Sequence, residues 1–301
     1  MMQLFSRSLI GVFYLLSFQL IGGEPPRECV RRFDVVTFCC PCSPQDHLCQ
    51  PQFDHLNWPA SPGHYLAMGS DTYREAITNH NNELAAYYNN FNQGRAQMTA
   101  ASKASLIAAY IQEKFTTKGN KPAWIVLNEI SGSQWPTNAT YRQWAIEVVH
   151  LLHSRYGLQP ILCAPFATPR GNDESWQGVA TYAFIGIECY LSGEKIKQHQ
   201  FSVEWCRKQY ADAQQTYGKR GVPAERLFLI EHFGQTPAGV NWGRSGVSAE
   251  DWRKAIQVRS EAARHVGFAG FVSYAWAKNR MKVSDAELLQ FEDTYRAQTL
   301  P

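Results

Sequence analysis

The sequence predicts an α/β protein built as a (β/α)8 barrel, the TIM-barrel architecture, and three observations support this prediction. The chain has 301 residues, of which 45% are hydrophobic, enough to bury one large core. Its second half alternates apolar strands with segments of helical periodicity. Short connections between these units favour a parallel sheet with helical crossovers. An open doubly wound sheet is the alternative, but no glycine-rich phosphate loop follows any strand.

The elements of the second half are regular. Each predicted strand is a short apolar run, and a helical segment follows it. We predict strands over residues 123–129, 160–166, 184–191, 227–233 and 270–276, and helices over 141–156, 175–182, 203–217, 249–265 and 285–297. The last two helices begin with a serine N-cap, and the carboxylates that follow suit the first turn of a helix.

The first half is less regular. We predict strands over residues 33–39 and 64–68 and helices over 72–90 and 100–117. This leaves the barrel one strand short of eight. We expect the missing strand near residues 95–98, or a barrel that is irregular in its first three units.

The N-terminal residues have the pattern of a targeting signal. Arg7 precedes an apolar stretch over residues 9–21, which is too short to span a bilayer comfortably, and two glycines follow it. We therefore expect a signal peptide over residues 1–23, a single domain over residues 24–301, and a secreted or periplasmic protein. An uncleaved N-terminal membrane anchor is the alternative.

Five of the 8 cysteines lie between residues 29 and 49. In an exported protein such a cluster favours disulfide bonds in the N-terminal segment. A zinc site is the alternative, with four ligands in an irregular spacing: Cys40, Cys42, His47 and Cys49. The later cysteines, Cys163, Cys189 and Cys206, are expected to be small core residues. We expect neither a metal nor another cofactor in the active site.

Charge and composition restrict the partners. The formal net charge is only +3, and no run of five basic residues occurs, so neither nucleic acid nor an anionic membrane surface is an expected partner. Aromatic residues make up 13% of the chain, and their flat amphipathic rings suit the faces of sugars as well as a core. We expect a monomer that binds a carbohydrate.

Polar residues stand at the ends of the predicted strands. In a (β/α)8 barrel the C-terminal strand ends carry the chemistry. The fourth strand ends in Asn128 and Glu129, the sixth in Glu188 and Tyr190, and the seventh in Glu231. We expect Glu129 and Glu231 to face each other across the mouth of the barrel, as the two carboxylates of a glycosidase do.

The ends of three predicted strands resemble those of a known family of enzymes. The stretches "LNEI", "LIEHF" and "SYAW" resemble those of the clan A glycoside hydrolases, barrel enzymes that include cellulases and mannanases. The resemblance implies that Asn128 binds a sugar 2-hydroxyl, that Glu129 is the acid/base and that Glu231 is the nucleophile. It also implies that Tyr190 contacts the nucleophile and that Trp276 forms the floor beneath the sugar. Many clan members have a histidine where this chain has Glu188.

The function expected from these residues is retaining hydrolysis of a poly- or oligosaccharide. One carboxyl group attacks the anomeric carbon, and the other, about 5 Å away, protonates the leaving oxygen. Trp135 and Trp242, in loops after the fourth and seventh strands, are expected to be exposed and to stack on the substrate, and Glu188 to contact it. The alternatives are a non-catalytic carbohydrate-binding barrel, with its carboxylates too far apart or salt-bridged, and a hydrolase that uses the N-terminal Cys/His cluster as its metal site.

Overall fold

Eight parallel strands, hydrogen-bonded in sequence order, close into a barrel in the computed structural model of the chain. The last strand pairs with the first, with Val36 opposite Val272. The predicted (β/α)8 barrel is therefore confirmed. The strands are β1 (Phe33–Phe38), β2 (His64–Met68), β3 (Glu83–Tyr88), β4 (Trp124–Leu127), β5 (Gln159–Pro165), β6 (Phe184–Glu188), β7 (Leu227–His232) and β8 (Gly270–Tyr274).

The structure describes seven stretches of the chain: residues 33–38, 64–68, 83–115, 122–128, 130–166, 174–232 and 248–274. All of them belong to one compact unit, Arg32–Pro301. The predicted signal peptide, the N-terminal cysteines and the predicted helix over residues 285–297 lie outside the described residues.

Six α-helices are described, and polar side chains cap several of them. Asn138, Ser202 and Ser248 each accept a hydrogen bond from a backbone N–H in the first turn of the helix that follows. The helices are α1 (Ala100–Phe115), α2 (Ala139–Ser154), α3 (Ser175–Tyr182), α4 (Gly193–Gln198), α5 (Val203–Gly218) and α6 (Ala249–Val266).

Apolar side chains of the strands divide between two layers, because successive residues of a strand point to opposite faces. One cluster contains strand residues but no helix residue, and it fills the inside of the barrel; Val126, Ile161 and Ile230 belong to it. The other contains alternate strand residues, such as Leu127 and Leu229, together with the buried faces of the helices. These memberships show which face of a strand each residue occupies.

The third strand corrects the prediction for the first half. Residues Glu83–Tyr88 form β3, within a segment predicted to be helical, whereas Arg95–Gln97 is a short 3-10 helix rather than the missing strand. Two alanines at the centre of β3 favour a helix by intrinsic propensity. Pairing with both β2 and β4 overrides that preference, and small side chains suit a strand that is buried on both faces.

No strand is missing from the first half, since β1, β2 and β3 all belong to the closed barrel, and the irregularity in this part is a change of register in β1. Its pairing with β2 shifts register between Phe33 and Val35, and its pairing with β8 shifts between Phe33 and Val36. The barrel nevertheless closes, so the irregularity affects one strand and leaves the order of the strands unchanged.

Candidate functional site

Polar residues occupy inward-facing positions at the C-terminal end of three strands. In β3, Tyr87 packs against the cluster inside the barrel, and Asn89 follows two residues later on the same face. Asn128 directly follows β4, two residues after the inward-facing Val126. Glu188 ends β6 on the face of the inward-facing Phe184. This end of the barrel is where (β/α)8 enzymes have their active sites.

Three of these side chains are joined by hydrogen bonds. Asn128 Nδ2 donates to Asn89 Oδ1 at 2.8 Å, and the Tyr87 hydroxyl donates to the same oxygen at 3.2 Å. These bonds leave Asn89 Nδ2 as a free donor and Asn128 Oδ1 as a free acceptor among the described residues. A neighbouring donor and acceptor of this kind match a sugar hydroxyl, which both accepts and donates.

Tyr87 and Asn89 are candidate site residues that the sequence alone did not indicate. The signal was present in the stretch "YYNN" over residues 87–90, where aromatic residues give way to amides. It was hidden because that segment was predicted to be helical, and a helix has no end that opens into the barrel.

Glu188 is half-buried at the end of β6. Burial, followed by the charge of Glu188, raises the pKa of the hydroxyl of Tyr217 on α5. That hydroxyl donates to the carbonyl oxygen of Pro165, which is paired with Glu188 across β5 and β6. Glu188 therefore lies at the rim of the barrel, between the inward face and the top of α5.

Glu231 lies on the face of β7 toward the helices, which differs from the expectation that it faces Glu129 across the mouth of the barrel. It shares the face of Leu227 and Leu229, which pack against the helices, and it is 0% exposed. Its Oε1 accepts a hydrogen bond of 2.6 Å from the hydroxyl of Tyr210 on α5. The physical reason is strand alternation, which directs Glu231 into the helical layer.

A buried cation accompanies this carboxylate. Arg259 of α6 is 2% exposed, and its Nη2 donates to the carbonyl oxygen of Leu191. The backbone N–H of Leu191 donates to Glu231 Oε1 at 3.1 Å. The carboxylate of Glu231 and the guanidinium of Arg259 thus bind the N–H and the carbonyl oxygen of Leu191, in the loop after β6.

The neighbours of this charge cluster remain protonated. Burial, and then the charge of Glu231, raises the pKa of the Tyr210 hydroxyl, which can therefore donate to the carboxylate. Burial raises the pKa of the Cys206 thiol to about 12, against the opposing charge of Arg259. Cys163, Cys189 and Cys206 are all buried, which confirms that these three are core residues.

Tyr190 lies in the same loop and is 37% exposed, between the buried residues Cys189 and Leu191. This loop follows β6 at the C-terminal end of the barrel. The tyrosine hydroxyl that donates to Glu231 belongs to Tyr210, a residue outside the predicted site.

Trp135 is not exposed, and the expectation that it stacks on substrate is corrected. It is 0% exposed, and its ring lies 4.1 Å from that of Trp176 on α3 and edge-on to Tyr141 on α2. The turn that begins at Ser131 brings it there, since Trp135 N–H donates to the Ser131 carbonyl oxygen. The loop after β4 thus folds back against the helices instead of lining the mouth.

Three predicted site residues, Glu129, Trp242 and Trp276, lie outside the described residues, as does the Cys/His cluster near residue 40. In the described part of the chain, no three or more His, Cys, Asp and Glu side chains stand close enough to hold a metal ion. No helix within the described ranges is long and apolar enough to cross a membrane.

Several solved structures resemble this barrel. An endo-β-N-acetylglucosaminidase from Cordyceps militaris has a TM-score of 0.51 and 15% identity, over 90% of this chain and 92% of that one. The catalytic domain of a family GH18 chitinase from the fern Peteris ryukyuensis has a TM-score of 0.55 and 9% identity, over 87% and 98%. The catalytic domain of a β-amylase from Paenibacillus polymyxa has a TM-score of 0.51 and 8% identity, over 90% and 99%.

No protein-family model and no curated protein sequence matches the chain. At identities this low, the likeness to solved structures concerns the fold alone. It confirms the barrel that the resemblance to the clan A glycoside hydrolases implies.

Proposed function

We propose that this chain is a glycoside hydrolase whose active site lies at the C-terminal mouth of the barrel. One observation carries the proposal: Tyr87, Asn89, Asn128 and Glu188 occupy inward-facing positions at this end of β3, β4 and β6. Amide, hydroxyl and carboxylate groups at the open end of a barrel suit a ligand rich in hydroxyl groups.

The amide pair supports a role in holding the sugar. A hydroxyl of the substrate accepts from Asn89 Nδ2 and donates to Asn128 Oδ1, while the bond between the two amides keeps both in place. Glu129 follows Asn128 in the chain and is the proposed acid/base, protonated at rest so that it can protonate the leaving oxygen. Exported, retaining hydrolysis of a poly- or oligosaccharide remains the proposed activity.

For the second carboxylate we propose Glu188 in place of Glu231. A nucleophile must touch the anomeric carbon, and a carboxylate with 0% exposure in the helical layer has no surface for that contact. Glu188 is half-buried at the rim, where a carboxylate remains accessible while burial limits its hydration.

A covalent trap tests this assignment. A 2-fluoro glycoside with a good leaving group accumulates as a glycosyl-enzyme, and mass spectrometry of the digested protein identifies the labelled glutamate. We expect the label on Glu188. A label on Glu231 would restore the pair expected from the sequence, and turnover without a label would point to inversion. The enzymes with similar structures, an endo-β-N-acetylglucosaminidase, a chitinase and a β-amylase, suggest a first panel of substrates: β-N-acetylglucosaminides, chitin oligomers and starch.

Matched amide variants complete the test. We expect Glu129→Gln and Glu188→Gln to lower kcat by at least about 100-fold, the range for loss of a positioned acid, base or nucleophile. Glu194→Gln is the control, because Glu194 is an exposed glutamate at the start of α4. Unchanged kcat in both site variants would exclude the proposed pair.

A non-catalytic carbohydrate-binding barrel is the second candidate. The burial of Glu231 favours this candidate, because one of the two carboxylates expected at the mouth of the barrel does not lie there. Calorimetric titration of the same sugars distinguishes the candidates. Binding without turnover, unchanged in Glu129→Gln and Glu188→Gln, would support the binding protein and exclude the hydrolase.

A further inference from the structure

The loop after β6 is held at three backbone groups. The N–H of Cys189 donates to the carbonyl oxygen of Ile230 on β7 at 3.1 Å. The N–H of Leu191 donates to Glu231, and the carbonyl oxygen of Leu191 accepts from Arg259. Tyr190 lies between these two anchored residues, so its backbone is fixed on both sides.

The charges that hold Leu191 are costly to bury. Removing a carboxylate and a guanidinium from water costs several kcal/mol for each ion, and apolar side chains of similar volume are often as stable as a buried ion pair. Here the two ions do what apolar side chains cannot, because they satisfy the backbone donor and the backbone acceptor of a buried residue outside regular secondary structure.

We infer that Glu231 is a positioning residue: together with Arg259 it clamps the peptide groups of Leu191 and thereby fixes Tyr190 at the mouth of the barrel as a rigid contact for the sugar. The role given to Tyr190 rests on the proposed function, whereas the clamp itself does not. Tyr210 belongs to the clamp, since its hydroxyl holds Glu231 Oε1 at 2.6 Å.

Burial along the loop explains why Tyr190 is the residue presented. Cys189 is 4% and Leu191 is 7% exposed, and the Leu191 side chain packs in the helical layer. Tyr190 between them is 37% exposed. An aromatic ring on an anchored backbone loses little freedom when it binds a ligand, which favours affinity.

Hydrogen exchange tests the clamp without any assay of activity. The double variant Glu231→Leu with Arg259→Met removes both bonds to Leu191 and takes out both buried charges together, so the barrel is expected to fold. We expect amide exchange in the peptide that covers Leu191 to become at least about tenfold faster, while a peptide covering β5 stays unchanged. Unchanged exchange at Leu191 would overturn the proposal.

A milder variant tests the clamp if the double variant does not fold. Tyr210→Phe removes one donor to Glu231 and keeps both charges, and we expect faster exchange of the same peptide. Tyr182→Phe is the control, because no described residue is hydrogen-bonded to the Tyr182 hydroxyl. Equal exchange in Tyr210→Phe and Tyr182→Phe would also overturn the clamp.

Kinetics separate positioning from catalysis. In the double variant we expect KM to rise about tenfold while kcat stays within about threefold of the parent. In a Tyr190→Ala background we expect the double variant to cause no further rise in KM. A fall in kcat of about 100-fold or more, with and without Tyr190, would identify Glu231 as a catalytic residue and overturn the proposal. If no sugar is turned over or bound, the proposed function fails, and hydrogen exchange still decides the clamp.

Discussion

At the scale of single residues, alternation along a strand decides which polar groups can meet a substrate. Asn128 and Glu231 both end apolar strands, yet Asn128 lies on the inward face and Glu231 on the face toward the helices. The same alternation makes Asn89 a partner of Asn128, although 39 positions separate them in the chain. The polar groups of the site are thus set by the face that each residue occupies.

Asn89→Asp tests the amide pair. The aspartate keeps an oxygen that accepts from Tyr87 and Asn128 but removes the Nδ2 donor, so the network survives while the bond to the substrate is lost. We expect KM, or Kd for a bound sugar, to rise about 5- to 20-fold, the cost of one hydrogen bond with an unpaired partner, with unfolding little changed. Asn90→Asp, an exposed neighbour, is the control. Equal affinity in both variants would exclude Asn89 from the site.

At the scale of elements, helix α2 holds the loops that follow two strands. Tyr141 in its first turn is buried, and its hydroxyl donates to Asn92 Oδ1 at 2.6 Å and accepts from the N–H of Ser131 at 2.8 Å. Asn92 follows β3 and Ser131 follows β4. One phenol therefore joins the loops next to Asn89 and Asn128.

Tyr141→Phe is expected to lower the free energy of unfolding by about 1–3 kcal/mol, because it leaves two partly buried polar groups without their partner. Denaturant unfolding at neutral pH provides the measurement. Tyr182→Phe is again the matched control and is expected to change stability by less than about 0.5 kcal/mol. Equal effects of the two substitutions would mean that the Tyr141 hydroxyl does not contribute.

The parent and Tyr141→Phe are also expected to differ in how their stability depends on pH. Burial raises the pKa of Tyr141 to about 12, from an ordinary value of 10.0. The folded protein retains this proton where the unfolded chain releases it, so the stabilisation is complete below pH 10.0 and is lost as pH rises through about 12. We expect the stability difference between the parent and Tyr141→Phe to shrink over that interval. A difference that stays constant would contradict the raised pKa.

At the scale of the whole molecule, the closed barrel depends on a filled interior. Phe184 packs against both Trp124 and Phe228 inside it, and Gly186 lies two residues after Phe184 on β6, next to Ile230 and Ile161. A Cβ atom at Gly186 would lie 2.5 Å from Ile230 Cδ1 and 3.2 Å from Ile230 Cγ1. The glycine is therefore required by its neighbours inside the barrel.

Gly186→Ala is expected to lower the free energy of unfolding by about 1–3 kcal/mol through overpacking. Ile230→Val removes the Cδ1 atom that a new methyl group would meet, so the double variant should be more stable than Gly186→Ala alone. Thermal and denaturant unfolding of the four proteins give the coupling energy. Additive losses would show that the new methyl group does not meet Ile230.

The fold was largely predictable because its signals are local. Apolar runs and helical periods in the second half predicted five strands and four described helices, and the structure confirms them. The prediction was wrong at β3, since the alanines of Glu83–Tyr88 favour a helix until two neighbouring strands pair with them. The position of Asn128 at the end of β4 could be predicted because an amide that follows an apolar strand is a local feature.

What the sequence by itself determined is the kind of protein: a parallel barrel with amide, aromatic and carboxylate residues at the C-terminal ends of its strands. Only the tertiary structure decided which of them share the mouth. It set Asn89 beside Asn128, enclosed Trp135 between helices, and turned Glu231 toward Tyr210 and Leu191. The physical reason is that successive residues of a strand point to opposite faces of the sheet. A shift of one residue therefore moves a side chain from the mouth to the helical layer, and only the packed barrel fixes which residues face inward.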